Sequence, residues 1–442
     1  MVFVDDMGWG DLSCFGGKAV NTLNMDRLAS EGLRFNQFYA NSSICSPSRV
    51  AITTGQYPQR WRVTSYLEYR VRNSKRGMAD WLDPKAPILA RELQKAGYAT
   101  GHFGKWHMGG QRDVGDAPLI SEYGFDQSLT NFEGLGPRVL PLCDAYDGKP
   151  PKKHDLGSSN LGHGPITWQD RSVITTTFVN AALSFIDRAA TDGKPFFVNV
   201  WPDDPHSPFF PPKAKRNSNN KRDLYHAVVD SMDEQFAPLF DRIRHDPKLR
   251  DNTLILIASD NGPEPGAGSA GPLKGYKGYL HEGGIRCPLI VWGPGFLAKG
   301  KAGTINDTAF FSSIDLNASI YQLAGIQPVA RLDGEVLAET LLGKVETGRK
   351  SPLFFRRPPD RPGTADDPDL AVRDNVWKLI CAYDGSQSRL FDLKADPAES
   401  TDVSAVHPEI TERLRIAVLE WNKTLPPDIS VAEPRRRHTK DR

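Results

Sequence analysis

Apolar residues along this chain fall into short unbroken runs, each closing on a cluster of polar residues or glycine. Val2-Phe3-Val4 leads into Asp5-Asp6, Phe196–Trp201 into Pro205-His206-Ser207-Pro208, and residues 253–258 into Ser259-Asp260-Asn261-Gly262. A run without polar alternation reads as a strand covered on both faces, as in a parallel sheet packed between helices. Residues 288–292 form another such run, and 33–40 and 98–103 read as strands beside them. Helical spacing separates the runs over 24–31, 86–96, 170–190, 224–243 and 313–324, with Gly32, Gly97 and Gly325 as stops after the first, second and last. This alternation predicts an α/β fold with a large mixed, mainly parallel sheet between helices. Near residue 342 the pattern changes to Pro-rich polar sequence around short strands at 353–355, 376–382 and 388–393, then a helix over 408–421. That predicts a smaller C-terminal antiparallel sheet with one helix, and two units, 1–345 and 346–442. Residues 109–168, rich in Gly, Pro and Asp, read as a long loop, part of which roofs a cleft. The polar loop 217–222 and the tail at Arg435-Arg436-Arg437 read as solvated, the tail also as disordered.

Composition changes this picture little. The 442 residues carry 25% charged and 39% hydrophobic side chains, an ordinary globular balance. A formal net charge of +1 argues against a general nucleic-acid binder. No apolar run has the length of a transmembrane segment. Five scattered cysteines fit neither a disulfide scaffold nor a zinc ribbon.

Candidate chemistry sits where the strands end, the edge at which open α/β sheets place their sites. Adjacent Asp5 and Asp6 repel, so a dry site needs a cation between them; a solvated turn is the other reading. Asp260 and Asn261 offer hard oxygen ligands for Mg²⁺ or Ca²⁺, or else form a simple Asx turn. Lys105 and His107, two apart, share a side on an extended segment, as a catalytic pair or a surface pair. His206 lies between prolines in a rigid, extended loop, which suits a catalytic group, with a core filler as the other reading. Cys45-Ser46-Pro47-Ser48-Arg49 reads as a helix start: Pro47 fits the first turn, and Gly55 the end. Cys45 then lies at a helix N-terminus that favours an anion, with Arg49 one turn on. A buried structural cysteine is the alternative.

The run C-S-P-S-R-V-A-I-T-T-G from Cys45 to Gly55 resembles, residue for residue, the signature of the formylglycine-dependent sulfatases of the alkaline-phosphatase-like superfamily. The resemblance covers nearly the whole chain. D-D-M-G-W-G-D at Asp5, G-K-W-H at Gly104, P-H-S-P at Pro205 and S-D-N-G at Ser259 match further family motifs. So do L-K-G-Y-K-G at Leu273, H-E-G-G-I-R at His281 and R-L-F-D-L-K-A-D-P-A-E-S at Arg389. The chain departs from the pattern at Asp203-Asp204, where many relatives carry another histidine, and at His281, where they often carry an aromatic residue. Its start resembles a family member missing the first residues of its first strand and a signal peptide, so a periplasmic or secreted location is expected.

The resemblance implies hydrolysis of sulfate esters. Cys45, oxidised by a formylglycine-generating maturation enzyme and hydrated, attacks sulfur. Asp5, Asp6, Asp260, Asn261 and the modified Cys45 hold a divalent cation, Ca²⁺ in preference to Mg²⁺. Arg49, Lys105 and Lys277 neutralise the sulfuryl oxygens, His206 protonates the leaving alcohol, and His107 takes the remaining hydroxyl proton as sulfate departs. The second hydroxyl explains the modification, since a serine ester could not expel sulfate this way. The long loop, Trp201, His281 and several arginines, Arg112 among them, point to a sulfated saccharide bound by these residues, with a packed structural histidine as the other reading of His281. Two other readings stay open: a phosphodiesterase or phosphonate-monoester hydrolase on the same scaffold, and a non-catalytic binder of sulfated glycans if Cys45 remains a thiol.

Overall fold

The computed structural model describes residues 1–131, 133–144, 150–358 and 368–427; the tail at 435–437 lies outside them. A 12-stranded mixed sheet forms the centre. Its inner strands run in the order Leu33–Tyr39, Arg286–Trp292, Ile255–Ser259, Val2–Val4, Phe196–Trp201, Ala99–Gly104. The last four are mutually parallel, with Val2 beside both Val200 and Ile257. Arg286–Trp292 is antiparallel to both its neighbours, so Leu33–Tyr39 shares the direction of the parallel set.

The unbroken apolar runs have the predicted cause. Val2, Val4, Val198, Val200, Ile255 and Ile257 join a core on one face with helices Ile174–Thr191 and Lys221–His245. Phe3, Leu256, Ala258 and Trp201 join the core on the other. Successive side chains point to opposite faces, so covering both requires apolar residues at every position.

The stretch 109–168 differs from the expected loop. It contains strands Gln127–Thr130, Arg138–Cys143, Lys152–Lys153 and Ile166–Asp170, which extend the sheet beyond Ala99–Gly104. Gln127–Thr130, Lys152–Lys153 and Ile166–Asp170 are short and partly exposed and leave no apolar run to read; Arg138–Cys143 is buried, but Pro141 interrupts its apolar run. Likewise Leu370–Asp374, a second strand of the small sheet Leu353–Arg356, Leu370–Asp374, Trp377–Cys381, Arg389–Asp392, was not expected. All three ladders of that small sheet are antiparallel. With helix Pro408–Lys423 it packs in one apolar cluster with Tyr39, Tyr57, Ile285 and Ile314. No helix among the described residues is long and apolar enough to cross a membrane.

This topology brings the motifs together. The four parallel strands deliver Asp5-Asp6, Asp260-Asn261, Lys105 to His107 and Asp203 to His206 at one sheet edge. Leu33–Tyr39 ends at that edge before Cys45. The reversed strand Arg286–Trp292 begins there, which brings Lys277 to Ile285 to the same place.

Candidate active site

Helix Cys45–Thr54 is buried along its whole length and follows extended Ile44. Pro47 is its third residue, where its missing N–H costs no hydrogen bond. Gly55 ends it at φ 67°, its N–H donating to the Ala51 carbonyl at 2.9 Å. Cys45 therefore stands on the unbonded first turn, as the sequence predicts. Burial pushes its thiol up to about 12 against the pull of Lys105 and Lys277. An unmodified Cys45 is thus a protonated thiol at neutral pH and a poor nucleophile.

Sγ of Cys45 and carboxylate oxygens of Asp5 and Asp260 lie within 4.8 Å of one another. Asp6, at φ 57°, turns the chain after Asp5; aspartate tolerates this left-handed conformation better than most residues. Its backbone N–H donates to Asp260 Oδ1 at 3.2 Å. Asn261 Nδ2 donates to Asp6 Oδ1 at 2.8 Å, and Lys277 Nζ to Asp6 Oδ2 at 2.5 Å. Lys105 Nζ donates to Asp5 Oδ2 at 2.6 Å. Arg49 reaches Asp260 Oδ2 at 2.8 Å and Asp5 Oδ1 at 3.6 Å, with its guanidinium 5.4 Å from the Trp201 ring centroid. Burial and the neighbouring Asp5 and Asp6 push Asp260 up to about 8, whereas Asp5 is held low despite burial, first by Lys105.

A hard divalent cation fits this set. Asp5 Oδ1 and Asn261 Oδ1 are buried and accept no hydrogen bond, which is costly unless a cation takes them. The donors are oxygens, apart from Cys45, with no histidine among them. With Asp260 ionised, as a bound cation would make it, Asp5, Asp6, Asp260 and Glu133 outnumber Arg49, Lys105 and Lys277 by one formal charge, which favours a cation.

Lys105 and His107 meet, but not as a strand would bring them together. The strand ends at Gly104, and His107 is left-handed at φ 52°. What joins them is Glu133, 2.9 Å from His107 Nδ1 and 3.5 Å from Lys105 Nζ. Burial holds His107 down to about 4, so at neutral pH its ring is neutral and the close contact with Glu133 is not an ion pair. Glu133 is held down to about 2 against its own burial. The charges responsible are that of His107, protonated in the acid range where Glu133 titrates, and that of Lys105. Sequence reasoning missed Glu133: a single acid in a glycine-rich loop carries no local signal, and only the fold places it under both residues.

His206 lies in a turn, not an extended loop. Its N–H donates to the Asp203 carbonyl at 3.1 Å, and both Asp204–Pro205 and Ser207–Pro208 are cis. Its Nδ1 donates to the Ser207 carbonyl at 2.6 Å, and Nε2 is 3.7 Å from Asp6 Oδ2. The side chain is 29% exposed, the most open of the group.

The three residues expected to touch substrate fare differently. Trp201 is fully buried, packed between Phe3, His102 and Arg49, because it closes a strand whose side chain enters the core. His281 is also buried, its Nδ1 3.2 Å from Glu399 Oε1 in an ionic cluster with Lys378 and Glu282. Neither side chain reaches the surface. Arg112 is half-buried at φ 57°, its guanidinium 5.2 Å from the Tyr69 ring centroid.

A family model described as Sulfatase matches residues 1–326, and one described as N-sulphoglucosamine sulphohydrolase, C-terminal, matches residues 275–423. Arylsulfatase G of Rattus norvegicus is 29% identical across 94% of this chain and 84% of its own length. Arylsulfatase A of Homo sapiens is 31% identical across 93% and 80%. Among solved structures, Ps i-CgsB in complex with k-i-k-neocarrahexaose superposes with a TM-score of 0.77 at 25% identity, covering 95% of this chain and 91% of that one.

Proposed function

The chain belongs to the sulfatase family and is a sulfuric ester hydrolase, and we propose that it removes sulfate from carbohydrates through a nucleophile made from Cys45. The observation that carries this reading is the placement of Cys45. It lies at a helix N-terminus, within 4.8 Å of two carboxylates, beside three buried cations. Oxidation to formylglycine by a maturation enzyme supplies an aldehyde hydrate, which the inert thiol cannot match. Relatives named N-acetylgalactosamine-6-sulfatase, and the k-i-k-neocarrahexaose in complex with the similar structure, support a sulfated saccharide.

Asp5, Asp6, Asp260 and Asn261, with the modified Cys45, would hold a divalent cation, which we take to be Ca²⁺ on family grounds. Such an ion, when bound, supplies Lewis acidity toward the sulfuryl oxygens. Arg49, Lys105 and Lys277 orient and neutralise the sulfate group in a dry pocket, where fixed charges act most strongly. His206 is assigned as the acid that protonates the leaving oxygen. Its Nδ1–H is committed to the Ser207 carbonyl, so the imidazolium presents its second proton at Nε2. His107, neutral and oriented by Glu133, is assigned as the base for sulfate release. Arg112, held over Tyr69, is assigned to the substrate. We divide the chain into a catalytic unit, 1–345, and a C-terminal unit, 346–442, a division supported by the four-stranded sheet that starts at Leu353. A sulfated polysaccharide does not cross a bilayer, which supports a periplasmic or secreted site of action.

The test is desulfation of 4-nitrophenyl sulfate and a panel of sulfated mono- and oligosaccharides by protein coexpressed with a maturation enzyme. Activity should rise with the formylglycine fraction found by peptide mass spectrometry, and Cys45→Ala should abolish it. Full activity in Cys45→Ala would sink the reading.

A further inference from the structure

The loop that carries His206 is held from below by a residue outside every motif in the chain. Arg171 follows strand Ile166–Asp170 and precedes helix Ile174–Thr191. It is 3% exposed. One terminal nitrogen, Nη1, bonds the Asp203 carboxylate. The other, Nη2, reaches three acceptors: the Asp203 carbonyl at 3.1 Å, the His206 carbonyl at 3.1 Å and Asp204 Oδ1 at 3.2 Å. Thr175, one helical turn on, donates to Asp204 Oδ2 at 2.7 Å. The guanidinium thus gathers both ends of the turn that begins at Asp203 and closes on His206.

We propose that Arg171, with Asp203, Asp204 and Thr175, is the positioning group for His206 in leaving-group protonation. The inference rests on the assignment of His206 as the acid. Its physical basis is the contrast between ring and backbone. The His206 ring is partly open and makes one short contact, to the adjacent Ser207 carbonyl, so its place is set by its own backbone. That backbone's carbonyl lies on a buried fork that also holds the Asp203 carboxylate and carbonyl and lies against Asp204 Oδ1. The planar fork fits this work: five N–H donors at fixed angles serve several acceptors at once. An ammonium keeps the charge that the two buried carboxylates need but cannot span the carboxylate and both carbonyls.

Arg171→Lys is therefore the informative variant, measured on phenyl sulfate and 4-nitrophenyl sulfate. Phenolate is the poorer leaving group and needs the proton more. A displacement of the acid by about 1 Å costs up to ~10²-fold, so kcat/KM on phenyl sulfate should fall on the order of 10-fold or more. The nitrophenyl ester should lose far less. Arg171→Lys added to His206→Ala should cost nothing further, because residues that act as one unit are non-additive. Equal losses on both esters together with full additivity with His206→Ala overturn the proposal, since Arg171 would then act only on the fold. If His206→Ala alone slows both esters equally, the acid assignment fails, and the cycle still decides whether Arg171 acts through His206. Should Arg171→Lys not fold, Thr175→Val removes one bond of the same cradle and should give a smaller loss of the same pattern; a loss equal on both esters and additive with His206→Ala overturns the proposal there too.

Discussion

Glu133→Gln isolates the carboxylate that sequence reasoning missed. Glutamine keeps the shape and an acceptor for His107 Nδ1–H but removes a charge 3.5 Å from Lys105 Nζ. Lys105 keeps Asp5 at 2.6 Å, so no cation is left unpaired. A buried hydrogen bond to a charged group contributes about 1.5–3 kcal/mol. Depression of Glu133 from 4.5 to about 2 corresponds to ~3 kcal/mol if every neighbour is charged. With His107 neutral, the lower part of that range applies, about 2 kcal/mol. The sign follows from the direction of the shift. A carboxylate held low stabilises the fold above its ordinary range and loses that contribution as pH falls toward 2. Wild type should therefore exceed Glu133→Gln in denaturant stability by a constant amount between about pH 7 and 5, and the gap should close below ~4.5. In catalysis, His107 loses the partner that fixes its ring, and turnover should fall by about 10²-fold, within the range general bases contribute. The loss should fall on sulfate release, so rapid mixing with 4-nitrophenyl sulfate should show a burst of one nitrophenol per active site and then slow turnover. Wild-type turnover and unchanged stability in Glu133→Gln would refute the reasoning, as would a loss confined to the burst itself.

Asp260→Ala should strip the pocket of its divalent ion: metal analysis should find one Ca²⁺ per wild-type chain and none in the variant, and stoichiometric zinc in active wild type would contradict the donor chemistry. Trp201→Ala should cost about 3–5 kcal/mol of stability as a core truncation, with KM for 4-nitrophenyl sulfate unchanged in folded protein; a tenfold rise in KM without a stability change would restore it to the substrate site. Lys378→Met removes the ammonium about 3 Å from Glu282 and Glu399; Glu282 keeps Arg286 and Arg373, Glu399 loses its cation, and the change should cost about 3 kcal/mol. Adding Glu399→Gln should recover part of that loss in the same denaturation assay, and no recovery would mean the cluster is not held by charge.

The sequence alone determined the sheet's buried strands, because a strand covered on both faces must be apolar at each position, as Val2-Phe3-Val4 and residues 255–258 are. It also determined which residue types close those strands, and motif identity carried the family. Helix Cys45–Thr54 was legible at both ends, since Pro47 and Gly55 act through their own backbone geometry. Tertiary structure decided what depends on partners distant in sequence. Lys105 and His107 converge through Glu133, not through strand alternation, because the strand stops at Gly104 and His107 is left-handed. Trp201 and His281 looked like cleft residues by position in the chain, but the direction of a side chain at a strand end is set by the sheet's pleat and by what packs against it. Arg171 had no signal at all. Its four acceptors lie more than thirty residues away in the chain, and a hydrogen-bonding fork buried against a loop leaves no period, spacing or motif in the sequence that makes it.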